Sequence, residues 1–364
     1  MSDDAIKQWK EKADLEIHDV SFILRGLGFN LDQDQPHISG ERFLMTKEKL
    51  VLVGKRMSDN LRVIIKVSNH DSGKKEIMDE KRARDLLQTL SFTKESILFP
   101  KEIMFEKKND YLFWISEFIE QKKVFVEYSL EEQFFLILKS FESQEAFHAT
   151  TFEHLKTVSS VFPIFYAREY FKEFEDFSKS FVKNCSDDEI KSTFNRADSM
   201  LKKYKKEIDI FSGYLTHTDF VPHNFRINSG QDIYMLDCSA VRFGNKYEGW
   251  ARFLNYMTLH NPPLERMILK YILKNRDEAD YLNLRLMRVH KLGFLLQYYS
   301  IALNKTSGDL KKLTEERINF WHEVLKLIME DKEVSPTIVE EYKKERDSLR
   351  TEEEKRRQRE FAVA

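Results

Sequence analysis

Residues 213–237 read GYLTHTDFVPHNFRINSGQDIYMLD, and the fold is decided there. Gly213-Tyr214-Leu215-Thr216 is a short strand that runs into a polar loop. Asn224-Phe225-Arg226-Ile227 and Ile233-Tyr234-Met235-Leu236 are two more short strands around the turn-forming run Asn228–Asp232. Such a hairpin puts Asn224 at the start of its first strand and Asp237 at the end of its second, so an amide oxygen and a carboxylate converge. Both are hard oxygen donors, and one or two of these together with substrate phosphates suit Mg²⁺. Asp219 lies five residues before Asn224, in the loop that enters the hairpin, where it can face a hydroxyl aligned with a metal-held phosphate. His217 is expected to point inward from the loop base and hold its backbone.

The set His217-Thr218-Asp219, Asn224 and Asp237 resembles the catalytic loop and metal-binding Asp of the protein-kinase-like superfamily. Pro222 and His223 before Asn224, and Cys238-Ser239 after Asp237 where protein kinases carry Phe-Gly, make it more similar to the aminoglycoside phosphotransferase/choline kinase group. An apolar helical pattern resumes near Tyr247–Leu254, which leaves only about ten residues after Asp237, too few for a protein-kinase activation segment. The resemblance implies an ATP-dependent small-molecule kinase with Mg²⁺ held by Asn224 and Asp237, and Asp219 and His217 as catalytic-loop residues.

Working outward, Lys66 interrupts Val63-Ile64-Ile65-Lys66-Val67. A lysine in an apolar strand is costly unless paired or solvated, so it asks for a partner. On the helix expected at about 74–90, Glu76, Glu80, Ala83, Leu87 and Leu90 share one face. Periodicity leaves both glutamates open; the run Met78–Arg84 is closer to the family's helix, so the resemblance selects Glu80. It also makes Tyr111–Ile119 the strand leading to an inter-lobe hinge, where the backbone of Glu117, Phe118 and Ile119 would hold an adenine edge. Phe147-His148-Ala149 resembles a helical Leu-His-Ala element of phosphotransferases, with His148 read as structural. Two features depart from the family. Gly40 and Gly54 stand alone with no glycine-rich phosphate loop, and Glu248 stands one position early for an Asp that would brace the catalytic loop.

The expected fold class is α+β: a protein-kinase-like two-lobed fold with a small antiparallel-sheet N-lobe and a large helical C-lobe. Residues 1–118 form the N-terminal lobe, with a leading helix at 3–27, strands at 43–45, 50–53, 61–67, 97–105 and 111–118, and one helix. Residues 119–335 form the helical lobe with the catalytic loop and metal hairpin, and 336–364 a charged helical or disordered tail. The region 245–335 should build the acceptor pocket. The acids of 275–280 are read as a solvated loop, with attraction of a cationic acceptor as the alternative. The aromatics Phe165, Tyr166, Tyr170, Phe174, Phe177 and Phe181 are read as core, as are Ile318, Trp321, Leu325 and Ile328.

The composition agrees. In 364 residues, 59 basic and 61 acidic side chains nearly cancel, so no nucleic-acid footprint spread over the molecule is expected. Two cysteines make no disulfide framework, the first residues are no signal peptide, and no apolar run is long enough to span a membrane. The expectation is a cytoplasmic enzyme acting on a small hydroxyl-bearing substrate. The glycine-poor first loop keeps a second reading open, a catalytically weak pseudokinase or nucleotide-binding interaction module.

Overall fold

The structure is a computed structural model that describes residues 3–33, 35, 48–90, 97–148, 155–185, 187–350, 352 and 355. The strand expected at 43–45, Gly40 and most of the charged run beyond Arg350 lie outside the described residues.

The leading helix α1 (Asp3–Gly26) stops at Gly28, whose φ of +87° turns the chain into β1 (Phe29–Leu31). Four longer strands follow: β2 (Leu50–Arg56), β3 (Arg62–Ser68), β4 (Glu102–Lys108) and β5 (Tyr111–Glu117). With β1 they form an antiparallel sheet in the order β1-β2-β3-β5-β4. Between β4 and β5 only Asn109 and Asp110 remain, both with positive φ (48° and 63°). That is the tight hairpin turn whose twist suits paired strands, and Asn and Asp tolerate it best after glycine. Alternation then sorts the two faces of the sheet. Val63, Ile65 and Val67 pack with Val20 and Leu24 of α1, while Trp114 packs with Ile77 of the helix α2 (Asp71–Thr89).

Two expectations are corrected here. Strand β4 starts at Glu102, not at 97, because Pro100 has no N–H to give a ladder. Leu98 instead accepts from Met235 N at 2.9 Å, tying this segment to the hairpin of residues 225–235. The short strand β1 was not expected at all; it is held by its pairing with Gly54–Arg56.

The second lobe is mostly helical. It comprises α3 (Leu130–Glu145), α4 (Leu155–Ser159), α5 (Ala167–Asn184), α6 (Asp188–Lys203) and α7 (Lys205–Ile210), followed by β6 (Tyr214–His217), β7 (Phe225–Ile227), β8 (Ile233–Met235) and β9 (Val241–Gly244). Helices α8 (Glu248–His260), α9 (Pro262–Asn275), α10 (Glu278–Leu303), α11 (Gly308–Met329) and α12 (Pro336–Ser348) complete it. Phe141 of α3 stacks on Trp250 of α8 at 4.3 Å, and Phe220 of the loop after β6 stacks on Phe225 at 5.1 Å. The site is thereby rooted in the aromatic core. At Gly293 of α10 a Cβ would come within 2.4 Å of the Phe174 ring, so only glycine allows α5 to pack this closely. Tyr170, Phe174 and Phe181 are fully buried, as the core reading requires, while Tyr166 is exposed. Ile318, Trp321, Leu325 and Ile328 are all buried.

The stretch after Asp237, read as a loop, contains β9, which pairs antiparallel with β6 (His217 opposite Val241, Tyr214 opposite Gly244). The start of the region read as a charged tail is a docked helix. In α12, Val339 and Tyr342 are buried, and Tyr342 stacks on Phe320 at 4.2 Å. Among the described residues, no helix is long and apolar enough to cross a membrane.

Candidate active site

Lys66 is on β3 directly opposite Trp114 of β5, on the sheet face that α2 covers. Its Nζ bonds the Oε1 of Glu80, which is completely buried, and reaches Leu236 O at 3.3 Å. The buried charge expected in the strand therefore has a buried counter-charge, the condition under which such a lysine is tolerated. Of the two glutamates left open by periodicity, Glu80 meets Lys66 and Glu76 meets Lys49, 2.9 Å away.

Leu236 precedes Asp237, so this contact brings the N-lobe cation to the end of the β7–β8 hairpin. Leu236 N donates to Asn224 O at 3.0 Å, which sets the two ends of the hairpin side by side. Asp237 Oδ1 accepts from Ser239 N at 3.1 Å and Ser239 Oγ at 2.6 Å. Burial would raise its carboxyl, but Lys66, the Ser239 hydroxyl, His217 and Lys49 hold it below the usual range. Asn224 uses its Nδ2 to donate to Asp219 O (2.8 Å) and Asp219 Oδ2 (2.9 Å), so the donor half of the amide is committed to the loop. Its carbonyl oxygen is the half left to act as a ligand. An amide oxygen and a carboxylate oxygen at neighbouring strand ends fit Mg²⁺ by donor chemistry.

Asp219 is gripped from the other side by Arg252 of α8, whose Nε lies 2.7 Å from Oδ1. Burial pushes this carboxyl up, yet Arg252 and then His217 bring it down to about 2. The His217 ring is fully buried, and burial keeps it below the ordinary histidine range, hence neutral. Its Nδ1 accepts from Asp219 N at 3.3 Å, which assigns the proton to Nε2.

The loop base is held without an aspartate. His217 N donates to Gln144 Oε1 of α3 at 3.0 Å, and Gly249 N donates to Thr216 Oγ1 at 2.9 Å. A Cβ at Gly249 would sit 3.2 Å from both His217 O and Thr216 Oγ1, so the helix start presses directly on the loop. Glu248 does not brace the loop. It is fully buried and accepts from Tyr170 (2.7 Å), Arg242 (2.9 and 2.6 Å) and Lys291 (3.1 Å), while Arg242 also binds Glu173 through two oxygens. Burial would raise Glu248, but Arg242 and Lys291 hold it far below the usual range. This cluster ties β9 to α5, α8 and α10.

At the expected hinge, Glu117 N donates to Lys101 O and Phe118 N to Arg62 O, and Arg62 lies 3.9 Å over the Phe118 ring. Two of the three hinge amides are thus consumed by the sheet, and Ile119 is the one lying past the ladder. His148 is structural in its contacts: Nε2 meets Ser212 O at 3.0 Å, and its ring packs edge-on against Tyr214.

Beyond Asp219, the ring of Tyr256 stacks on His260 at 4.1 Å and meets His223 at 5.8 Å. His260 is buried and pushed well below the ordinary histidine range, by burial first and then by Arg346, His223 and Arg350. Arg346 of α12 lies near His260 and is itself paired with Asp347 at 2.8 Å. Two of the acids at 277–280 are engaged in structure: Asp277 caps α10 by accepting from Asp280 N, and Asp280 pairs with Lys246 at 2.6 Å.

Arg252, Lys49 and Gln144 were not singled out in the sequence. Arg252 follows Glu248 by one helical turn in an apolar run, and a charge placed so is the one signal that could have marked it.

A small antiparallel sheet with a buried Lys66–Glu80 pair, set over a helical lobe that carries the 217–224 loop and the β7–β8 hairpin, defines the two-lobed protein-kinase-like fold. Among solved structures, the chain is similar to aminoglycoside phosphotransferases. A thermostable mutant of APH(4)-Ia in a ternary complex with ADP and hygromycin B superposes with a TM-score of 0.61 at 13% identity, over 86% of this chain and 98% of that one. The GDP complex of wild-type aminoglycoside 2′-phosphotransferase-IIIa gives 0.59 at 11% identity, over 84% and 98%. ADP-bound APH(2″)-Ib gives 0.53 at 13% identity, over 78% and 92%. At these identities the likeness is one of fold. No family model and no curated protein matches the sequence.

Proposed function

We propose that the protein is a kinase transferring the γ-phosphoryl group of ATP to a hydroxyl of a small molecule. The observation that carries this is the convergence of the Lys66–Glu80 pair on Leu236-Asp237, beside Asn224 and Asp219. The same fold carries ADP or GDP in the complexes of similar structure.

In this reading Lys66, oriented by Glu80, binds the α- and β-phosphates, and the hinge at Ile119 meets the base. Mg²⁺ would be held by Asn224 Oδ1 and Asp237 and would neutralise the charge on the phosphates. Asp219 accepts a hydrogen bond from the substrate hydroxyl and aims its oxygen at phosphorus. The new O–P bond forms as the bond to the ADP oxygen breaks, and the hydroxyl proton leaves through Asp219 to solvent. A carboxyl held near 2 is a weak base, which suffices because phosphoryl transfer has a loose transition state that depends on positioning more than on deprotonation. Arg252 fixes the Asp219 carboxylate and brings positive charge to the transfer point.

The charges on the acceptor side are paired, Arg252 with Asp219, Arg346 with Asp347 and Asp280 with Lys246, and so select no acceptor charge by themselves. The test is ATP consumption across a panel of hydroxyl acceptors graded by charge, with Asp219→Asn as control. Turnover of any hydroxyl acceptor that Asp219→Asn removes supports the proposal. Nucleotide binding without turnover on any acceptor would instead support the nucleotide-binding module.

A further inference from the structure

Lys49 immediately precedes β2, in a stretch that reads as a polar turn. In the β2–β3 ladder Val51 is opposite Lys66. Side chains alternate along a strand, so Lys49, two residues before Val51, emerges on the same face as Lys66. The contacts agree. Glu80 offers one carboxylate oxygen to each lysine, Oε1 to Lys66 and Oε2 to Lys49 at 3.7 Å, and Lys49 also holds Glu76 at 2.9 Å. Only 12% of the Lys49 side chain is exposed, so its charge is confined to the interior of the cleft. It reaches Asp237 electrostatically: Lys49 and Lys66 both contribute to holding that carboxylate ionised.

The connection from β1 to β2, residues 32–49, contains one glycine, Gly40, whereas backbone cradles for phosphates are built on several. A triphosphate brings about four negative charges at neutral pH, more than one lysine offsets.

Resting on the kinase reading above, we propose that Lys49 is a second phosphate-binding cation. It would contact the phosphates beyond the pair held by Lys66 and take over the work of a glycine-rich loop. Glu76 and Glu80 then act as a paired rest for the two ammonium groups, each of which can lean toward the nucleotide without leaving its carboxylate.

The test is calorimetric binding of Mg²⁺–ATP, ADP and AMP to the full chain and to Lys49→Ala, Lys49→Met, Lys49→Arg and Lys66→Ala. Lys49→Met keeps the aliphatic stem if Lys49→Ala fails to fold. Loss of one charge-assisted phosphate contact should weaken ATP by about ten- to a hundredfold in Lys49→Ala or Lys49→Met. AMP affinity should hold, and Lys49→Arg should recover most of the loss. ATP binding by Lys49→Met equal to that of the wild type overturns the proposal and leaves the kinase reading intact. A wild-type chain that binds none of the three nucleotides overturns the kinase reading itself, so the two failures are told apart by the wild-type trace.

Discussion

Arg252 Nε stands 2.7 Å from Asp219 Oδ1, while Asn224 Nδ2 stands 2.9 Å from Oδ2, so both oxygens of the proposed hydroxyl-orienting carboxylate are held in place. With its carboxyl near 2, Asp219 stays ionised throughout the range in which the protein would work. Phosphoryl transfer should therefore show no acid limb from Asp219 between pH 5 and 8. Arg252→Ala should lower kcat by about ten- to a hundredfold and leave nucleotide affinity nearly unchanged. Steady-state kinetics against ATP separate the two; an unchanged kcat would remove Arg252 from the transfer step.

Gln144 and Gly249 occupy the place of the missing bracing aspartate. Replacing Gln144 by Leu leaves the buried N–H of His217 without an acceptor, at a cost of about 1–3 kcal/mol. Lower thermal stability and a reduced kcat with little change in KM for ATP are expected. The loop is not braced from α3 if both stay at wild-type values.

Glu248 is the acceptor hub for Arg242, Lys291 and Tyr170. Glu248→Ala leaves buried Lys291 without its carboxylate and Arg242 with Glu173 alone, and breaking such a cluster from one side costs about 3–5 kcal/mol. Urea denaturation should show that loss, with Arg242→Ala similarly destabilised. Far smaller changes in both would mean that the cluster is solvated in solution.

Buried histidines set the acid stability. His217, His260 and His290 are kept below the ordinary histidine range by burial, His290 at about 4. The unfolded chain takes up these protons from about pH 6.5 downward, before folded His290 does. Stability is therefore flat above that pH and falls as pH drops from about 6.5 to 4, by about 1.4 kcal/mol per pH unit for each histidine that stays neutral. Urea midpoints measured across this window check it, and His290→Asn should flatten the slope. A midpoint constant to pH 4.5 would contradict the burial of these rings.

The sequence and the structure meet where chemistry is local. His217, Asp219, Asn224 and Asp237 lie within one hairpin and its entry loop, so turn residues and strand length place them. Lys66 was legible because a lysine in an apolar strand needs a partner; periodicity left Glu76 and Glu80 open, and the family resemblance selected Glu80, 14 residues on. Arg252 and Gln144 were not, since they meet Asp219 and His217 across 33 and 73 residues, and nothing local in a helix records such a meeting. Strand β9 was hidden by Arg242, which reads as solvent-facing until Glu248 and Glu173 bury it. Lys49 was hidden by its setting, a polar turn whose last residue is already in register with β3.

The most direct test of the kinase reading is Mg²⁺-dependent binding of ATP, measured by calorimetry and thermal shift on the wild type, Lys66→Ala and Asp237→Ala. The expected result is binding and stabilisation in the wild type that depend on Mg²⁺. Both should be lost or strongly reduced in the two variants, whose folds persist. No binding by the wild type at millimolar ATP, with or without Mg²⁺, would contradict the reading.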